Sequence, residues 1–147
     1  MGVIRYSDTR DFYRDVADAL ATDEVVNNLP LGILTRSVND GDAMPDWFMA
    51  RVEGADACEL IALMTPPRNL VLTSANRAVP AAALRLLVAH LVEIGLPIPG
   101  LVAETRLAEA FAREYCEAAV KKAEIATRER LYRLDRVEDV PVVGEMR

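Results

Sequence analysis

The sequence predicts an α+β fold, with a mixed, mostly antiparallel sheet flanked by helices. Apolar residues recur at helical spacing in segments on both sides of the chain's middle. Between them, short segments are apolar at every position or at every second one, as strands are. Turn residues separate these segments. With 147 residues, of which 52% are hydrophobic and 27% charged, the chain is long enough for one domain with a proper core.

The first elements are a short strand and a helix. Residues 3–6 form the strand, and Ser7 or Asp8 caps the helix. Apolar residues follow at every fourth position, at Phe12, Val16 and Leu20. A second helical stretch begins at Thr22 or Asp23. Pro30 interrupts it, so we expect a kink or two short helices there.

Three strands follow and form an antiparallel meander. They are residues 47–52, 60–64 and 69–73. Next, Pro80 opens a long helix, for which Gly95 is the natural C-terminal residue.

The remaining elements are a brief strand, a helix and a last strand. Residues 101–103 are the brief strand, and Thr105 caps a helix that includes Tyr115. A charged strand is expected at residues 124–135. Residues 136–147 resemble a linker.

Charge and composition exclude several classes of function. The net charge of −6 argues against nucleic acid and anionic membranes as partners. No apolar run approaches the roughly 20 residues that span a bilayer, and residues 1–5 contain no signal-peptide core. A cytoplasmic protein is therefore expected. One histidine, His90, and two distant cysteines, Cys58 and Cys116, predict neither a metal site nor a disulfide framework.

The segment 69–94 is the most informative one for function. A strand, a loop and a helix N-terminus together form a site suited to an anionic phosphate. The loop contains Arg77, which would pair with a phosphate or remain a solvated loop arginine, but no glycine.

The order of elements resembles the GNAT acyltransferase superfamily over essentially the whole chain. It is closest to the N-terminal half of bacterial two-part GNAT proteins. The segments that carry this resemblance are residues 27–34, 65–73 and 130–134. The resemblance implies that acetyl-CoA is the co-substrate, with its pyrophosphate at the helix N-terminus after the fourth strand.

The resemblance also suggests roles for individual residues. Arg77 matches the first position of the superfamily's pyrophosphate motif, whereas Pro80 stands where its first glycine belongs. Val71 and Thr73 lie on the strand whose backbone donors would polarise the acyl carbonyl. Tyr115 is at the offset of the general acid to the leaving thiolate, although its alternative is a structural helix tyrosine.

Two interpretations follow. In the first, residues 1–135 are the GNAT-like N-terminal domain of an N-acyltransferase that acts on a small-molecule amine. This half would shape the substrate cleft and be weak or inactive alone, and residues 136–147 would lead to an absent catalytic GNAT domain. In the second, the chain is a catalytically silent GNAT-like module that binds a partner or a second copy of itself.

Overall fold

A computed structural model describes residues 1–41 and 46–133. Within this part of the chain, five strands form one mixed sheet in the order β1-β2-β3-β4-β5. The strands are β1 (Gly2–Tyr6), β2 (Phe48–Glu53), β3 (Cys58–Met64), β4 (Leu70–Ser74) and β5 (Leu101–Val102). The helices are α1 (Thr9–Ala21), α2 (Asn28–Asp40), α3 (Ala81–Glu93) and α4 (Thr105–Ala119). The predicted α+β fold is therefore confirmed.

Helix α1 begins where the sequence predicts. The Asp8 carboxylate accepts hydrogen bonds from the backbone N–H groups of Arg10 and Asp11, at 2.7 and 3.2 Å. These bonds satisfy two donors that lack a partner within the helix. The side chains of Phe12, Val16 and Leu20 are fully buried, so the four-residue apolar spacing does mark the face that packs on the sheet.

The predicted interruption at Pro30 is wrong. Helix α2 begins at Asn28, which makes Pro30 its third residue. A proline in the first turn removes no helical hydrogen bond, because N–H groups there have no acceptor within the helix. A turn at residues 22–27 precedes α2, and the helix ends at Gly41, whose φ is +70°.

Helix α3 ends in a Schellman motif. The N–H of Gly95 bonds to the carbonyl of Val92 at 3.1 Å, and the N–H of Leu96 bonds to that of Leu91 at 3.2 Å. Gly95 has a φ of +61°, which a residue without Cβ adopts at little cost. The predicted role of Gly95 is confirmed.

The sheet separates two apolar clusters. In the first cluster, the alternate β3 residues Ile61 and Leu63 pack against Phe12 of α1 and Leu34 of α2. The other residues of the central strands face α3 and α4; Leu60, Ala62, Met64, Leu70 and Leu72 belong to this second cluster. Period-two alternation therefore assigns each strand residue to one helical layer.

The last strand pair is short and parallel. β4 pairs with β5 only at Leu70↔Leu101 and Val71↔Val102, whereas the pairs among β1 to β4 are antiparallel. The predicted strand at residues 124–135 is wrong over residues 124–133, which have no regular secondary structure and are exposed. Residues 134 and 135 and the predicted linker at 136–147 lie outside the described residues.

Candidate functional site

The backbone of β4 presents polar groups to the side where β5 ends. The N–H of Leu70 bonds to the carbonyl of Gly100 at 2.9 Å, whereas the N–H of Ala75 bonds to Glu59, beside β3, at 3.3 Å. Since successive residues of a strand direct their N–H groups to opposite sides, Leu72 and Ser74 face the β5 side. Val71 and Thr73 face β3. The ladder to β5 stops at Val71, which leaves Ser74 beyond the last pair.

The loop that follows β4, residues 75–80, is held by the turn at residues 22–27. Arg77 and Asp23 form an ion pair, with Nε of Arg77 2.6 Å from Oδ2 of Asp23. The hydroxyl of Thr22 donates mainly to the carbonyl of Ala19, at 2.7 Å, and lies 3.3 Å from the carbonyl of Ala75. The predicted phosphate ligand Arg77 therefore already has an anionic partner, although its side chain remains 63% exposed.

Besides the ion pair between Arg77 and Asp23, a buried contact joins the turn at 22–27 to β4. The Thr73 hydroxyl donates to Oδ1 of Asn27 at 2.5 Å, and the Asn27 amide donates to the carbonyl of Leu20 at 3.0 Å. Asn27 is 2% exposed. The turn at 22–27 is thus bound both to the end of β4 and to the loop that follows it.

Arg77 bonds directly to the Asp23 carboxylate, and Arg133 acts on it through its charge. The hydrogen bond from Arg77 is the main reason why the pKa of Asp23 is below its usual value, and the positive charge of Arg133 lowers it further. Asp23 contributes one negative charge here, and Arg77 and Arg133 contribute one positive charge each, so these three side chains together carry a net positive charge.

The N-terminus of α3 adjoins the same loop. Its N-terminal capping residue is Pro80, and no side chain caps it. The N–H groups of the first turn therefore lack side-chain acceptors from the cap, and the helix dipole is positive at this end. Pro80 itself contributes no donor. Asn76 instead orders the loop by accepting a 3.2 Å bond from the N–H of Ala78.

A small cleft lies where α2 passes over β4 and β5. It measures about 190 Å³. Its walls include the apolar side chains Leu29, Ile33, Val71 and Val102. Leu29 and Val102 are 43% and 40% exposed, so the cleft opens to solvent. Val71, predicted as a cofactor contact, contributes its side chain here.

Tyr115 lies in the other apolar layer. It is 9% exposed and packs among the residues between the sheet and α3 and α4. Its ring stacks on Phe111 with centroids 5.4 Å apart. Thr73 is bonded to Asn27 on the opposite side of the sheet. The structure therefore brings Thr73 and Arg77 together beneath the 22–27 turn but places Tyr115 apart from Thr73.

Sequence reasoning missed Asp23, Asn27 and Arg133 as neighbours of the loop. Asp23 is 54 residues from Arg77, and Asn27 is 46 residues from Thr73. No local pattern links positions so far apart. A local signal exists at Asn27 and Asn28, two polar residues between the apolar residues Val26 and Leu29, but it does not distinguish the buried Asn27 from its neighbour.

The described residues contain neither a cluster of metal ligands nor a membrane-spanning helix. In residues 1–41 and 46–133, no group of three His, Cys, Asp or Glu side chains is placed to hold a metal ion. No helix in these ranges has both the length and the apolar character needed to cross a membrane.

Comparisons with models of protein families, with curated proteins and with solved structures found no match.

Proposed function

We propose that this chain is the N-terminal GNAT-like half of an acetyl-CoA-dependent N-acyltransferase. It would shape the cleft in which a small-molecule amine meets the acyl group, and a second, catalytic GNAT domain would complete the enzyme. The observation that supports this most is the pairing of β4 with β5. Two parallel strands pair over only two residues and leave backbone donors of β4 beside a loop that carries Arg77.

The residues around this loop suit a phosphate-bearing coenzyme. Arg77 bonds to Asp23, the charge of Arg133 also acts on that carboxylate, and the α3 N-terminus adds its partial positive charge. Arginine matches phosphate with two parallel hydrogen bonds. Acetyl-CoA would supply an activated acyl thioester, and the chain's own part would be to hold the phosphates at Arg77. The N–H of Ser74 would face the acyl carbonyl, in the position first assigned to Val71 and Thr73.

A catalytically silent module that binds a second copy or another partner is the second candidate. The Arg77–Asp23 ion pair favours it, because a phosphate must compete with a carboxylate already bound. Pro80 also lacks the N–H that a pyrophosphate would use. The burial of Tyr115 against Phe111 accounts for that residue without any role as a general acid.

Titration of acetyl-CoA into the full chain separates the two candidates. If the chain binds the coenzyme, ligand at about 100 times its dissociation constant stabilises the fold by about 2.7 kcal/mol. Replacing Arg77 by Gln should remove most of this gain, whereas the matched change Arg85→Gln on α3 should leave it intact. No change in melting temperature at millimolar acetyl-CoA would reject cofactor binding by this half and favour the silent module.

A further inference from the structure

A larger cleft lies near the start of β4, away from the loop that carries Arg77. It measures about 360 Å³. That volume is within the range of small-molecule sites, about 300–1,000 Å³. β4 separates the two regions by five residues, or roughly 16 Å of extended chain. A ligand in this cleft would therefore not occupy the proposed coenzyme site.

Prolines form most of the apolar wall. Pro66 and Pro67 precede β4, and Pro97 and Pro99 follow α3. Met64 and Ile98 complete the apolar surface. Since the proline ring fixes φ, these two segments have little conformational freedom to lose when a ligand binds. The wall is preorganised for an apolar group, which lowers the entropic cost of binding.

Two cations line the same cleft. Arg68 and Lys121 both contribute to it, and both are exposed. Among residues 1–41 and 46–133, no carboxylate forms an ion pair with either side chain. The Lys121 ammonium lies 5.9 Å from the centroid of the Tyr115 ring, a contact that does not neutralise its charge. In a chain with a net charge of −6, two cations without carboxylate partners beside an apolar wall favour an anionic ligand.

The proline wall and the two cations together define the ligand more closely than either feature does alone. A purely polar anion such as phosphate would leave the proline wall in contact with water. A neutral hydrocarbon would leave both cations unused. A ligand with one carboxylate and one aliphatic chain satisfies both, because its chain buries apolar surface while its carboxylate pairs with the cations.

We propose that this proline-lined cleft binds a medium-chain aliphatic monocarboxylate, with the chain against the proline rings and the carboxylate held by Arg68 and Lys121. This proposal does not rest on the proposed function at Arg77, although Arg68 also lines the smaller cleft that contains Val71. Occupation of one does not require the other.

The first test uses hexanoate and its neutral analogue hexanamide on the full, isotope-labelled chain. Hexanoate should shift the amide resonances of Arg68, Ile98 and Lys121 in a saturable manner. Hexanamide should bind several-fold more weakly, since it has the same chain but no charge. Equal affinity for the two compounds, or shifts confined to other residues, would overturn the proposal.

The second test uses variants of exposed residues that make no ion pair. Arg68→Gln and Lys121→Gln should each weaken hexanoate binding about two- to fivefold, as expected for partly exposed charge pairs. Arg85→Gln, which makes the same charge change outside the cleft, should bind hexanoate as the parent does. If the double variant at Arg68 and Lys121 keeps the parent affinity, the cations do not hold the carboxylate. Acetyl-CoA titration of the same variants reports separately on the site at Arg77.

Discussion

Thr73 of β4 donates a 2.5 Å hydrogen bond to Asn27, which lies just before α2. Both residues are buried, and the Asn27 amide donates onward to Leu20, near the end of α1. One side chain therefore joins two helices and a strand. This connection fixes the position of Asp23, four residues before Asn27, above the loop that carries Arg77.

Replacing Asn27 by Ala should destabilise the chain strongly. The variant removes two hydrogen bonds. It leaves the buried Thr73 hydroxyl without a partner, which costs about 1–3 kcal/mol, and it removes one bond to the Leu20 carbonyl, which keeps the N–H of Asp23 as a donor. Thr73→Val should cost less, because it leaves only Oδ1 of Asn27 unpaired. Urea unfolding measures both, and the double variant should be less destabilised than the sum of the two. Strict additivity would show that the 2.5 Å bond contributes no coupling.

Replacing Asp23 by Asn should strengthen coenzyme A binding. The amide keeps the acceptor for the N–H of Val26 but removes the negative charge that pairs with Arg77. We expect about a three- to tenfold tighter dissociation constant, since a charge-assisted competitor is lost. Calorimetry measures it. The matched control is Asp11→Asn, since the Asp11 carboxylate pairs with Arg14 on the solvent-exposed face of α1. An equal gain in that variant would indicate a general charge effect.

The ion pair between Arg77 and Asp23 predicts how stability responds to acid. Because Arg77 holds the pKa of Asp23 below the ordinary 3.8, the ion pair is intact above that pH. Its stabilising contribution is lost only as the pH falls below 3.8 and through the lower pKa of the folded state. The difference in melting temperature between the parent and Asp23→Asn should therefore shrink in that acidic range.

Tyr6 should make stability depend on alkaline pH. Burial, followed by the 2.9 Å hydrogen bond to Asp15, raises the pKa of Tyr6 to about 12 from 10.0. A raised pKa means that the folded state binds the proton more tightly, so its contribution is complete below pH 10.0 and is lost towards pH 12. Tyr6→Phe should lose about 1 kcal/mol at neutral pH and show less decline in this window. Tyr132→Phe, at an 83% exposed position, should behave as the parent.

Two glycines should respond to alanine in opposite ways. Gly95 has a φ of +61°, whereas Gly32 lies within α2; a Cβ meets nothing within 4 Å at either position. Gly95→Ala should cost about 1–2 kcal/mol through backbone strain alone. Gly32→Ala should add about 0.4–1 kcal/mol through helix propensity and reduced freedom of the unfolded chain. Thermal unfolding of both variants checks the sign, and destabilisation by Gly32→Ala would contradict it.

Most of the fold follows from local patterns. Asp8 caps α1, Phe12 and its neighbours mark its buried face, and Gly95 ends α3 because these signals act within a few residues. The prediction at Pro30 was wrong because the effect of a proline depends on its position in the helix. That position could not be read from the sequence, since the start of α2 at Asn28 has no side-chain cap to mark it. The charged segment 124–133 has strand-like residues, but a strand exists only when another strand bonds to it.

The candidate site was less predictable. Arg77 and Thr73 stand out from the sequence, whereas their partners Asp23 and Asn27 become neighbours only when α1 and α2 pack on the sheet. The orientation of the β4 backbone depends on one register, set by Leu70 with Gly100 and Ala75 with Glu59. A displacement of one residue would have made Val71 and Thr73 the donors that face the β5 side.

Strand β3 is buried on both faces from Leu60 to Met64, and this has a consequence for folding fidelity. In a half-buried strand, a slip of one residue moves apolar side chains into water and is penalised at once. In β3 it would only exchange one buried apolar side chain for another. Correct alignment must therefore be enforced by the neighbouring strand β2, where Arg51 donates a 3.2 Å hydrogen bond to the carbonyl of Asp15 on α1. Sequence libraries that vary the β3 core freely should tolerate many replacements, whereas those that neutralise Arg51 should produce misaligned chains.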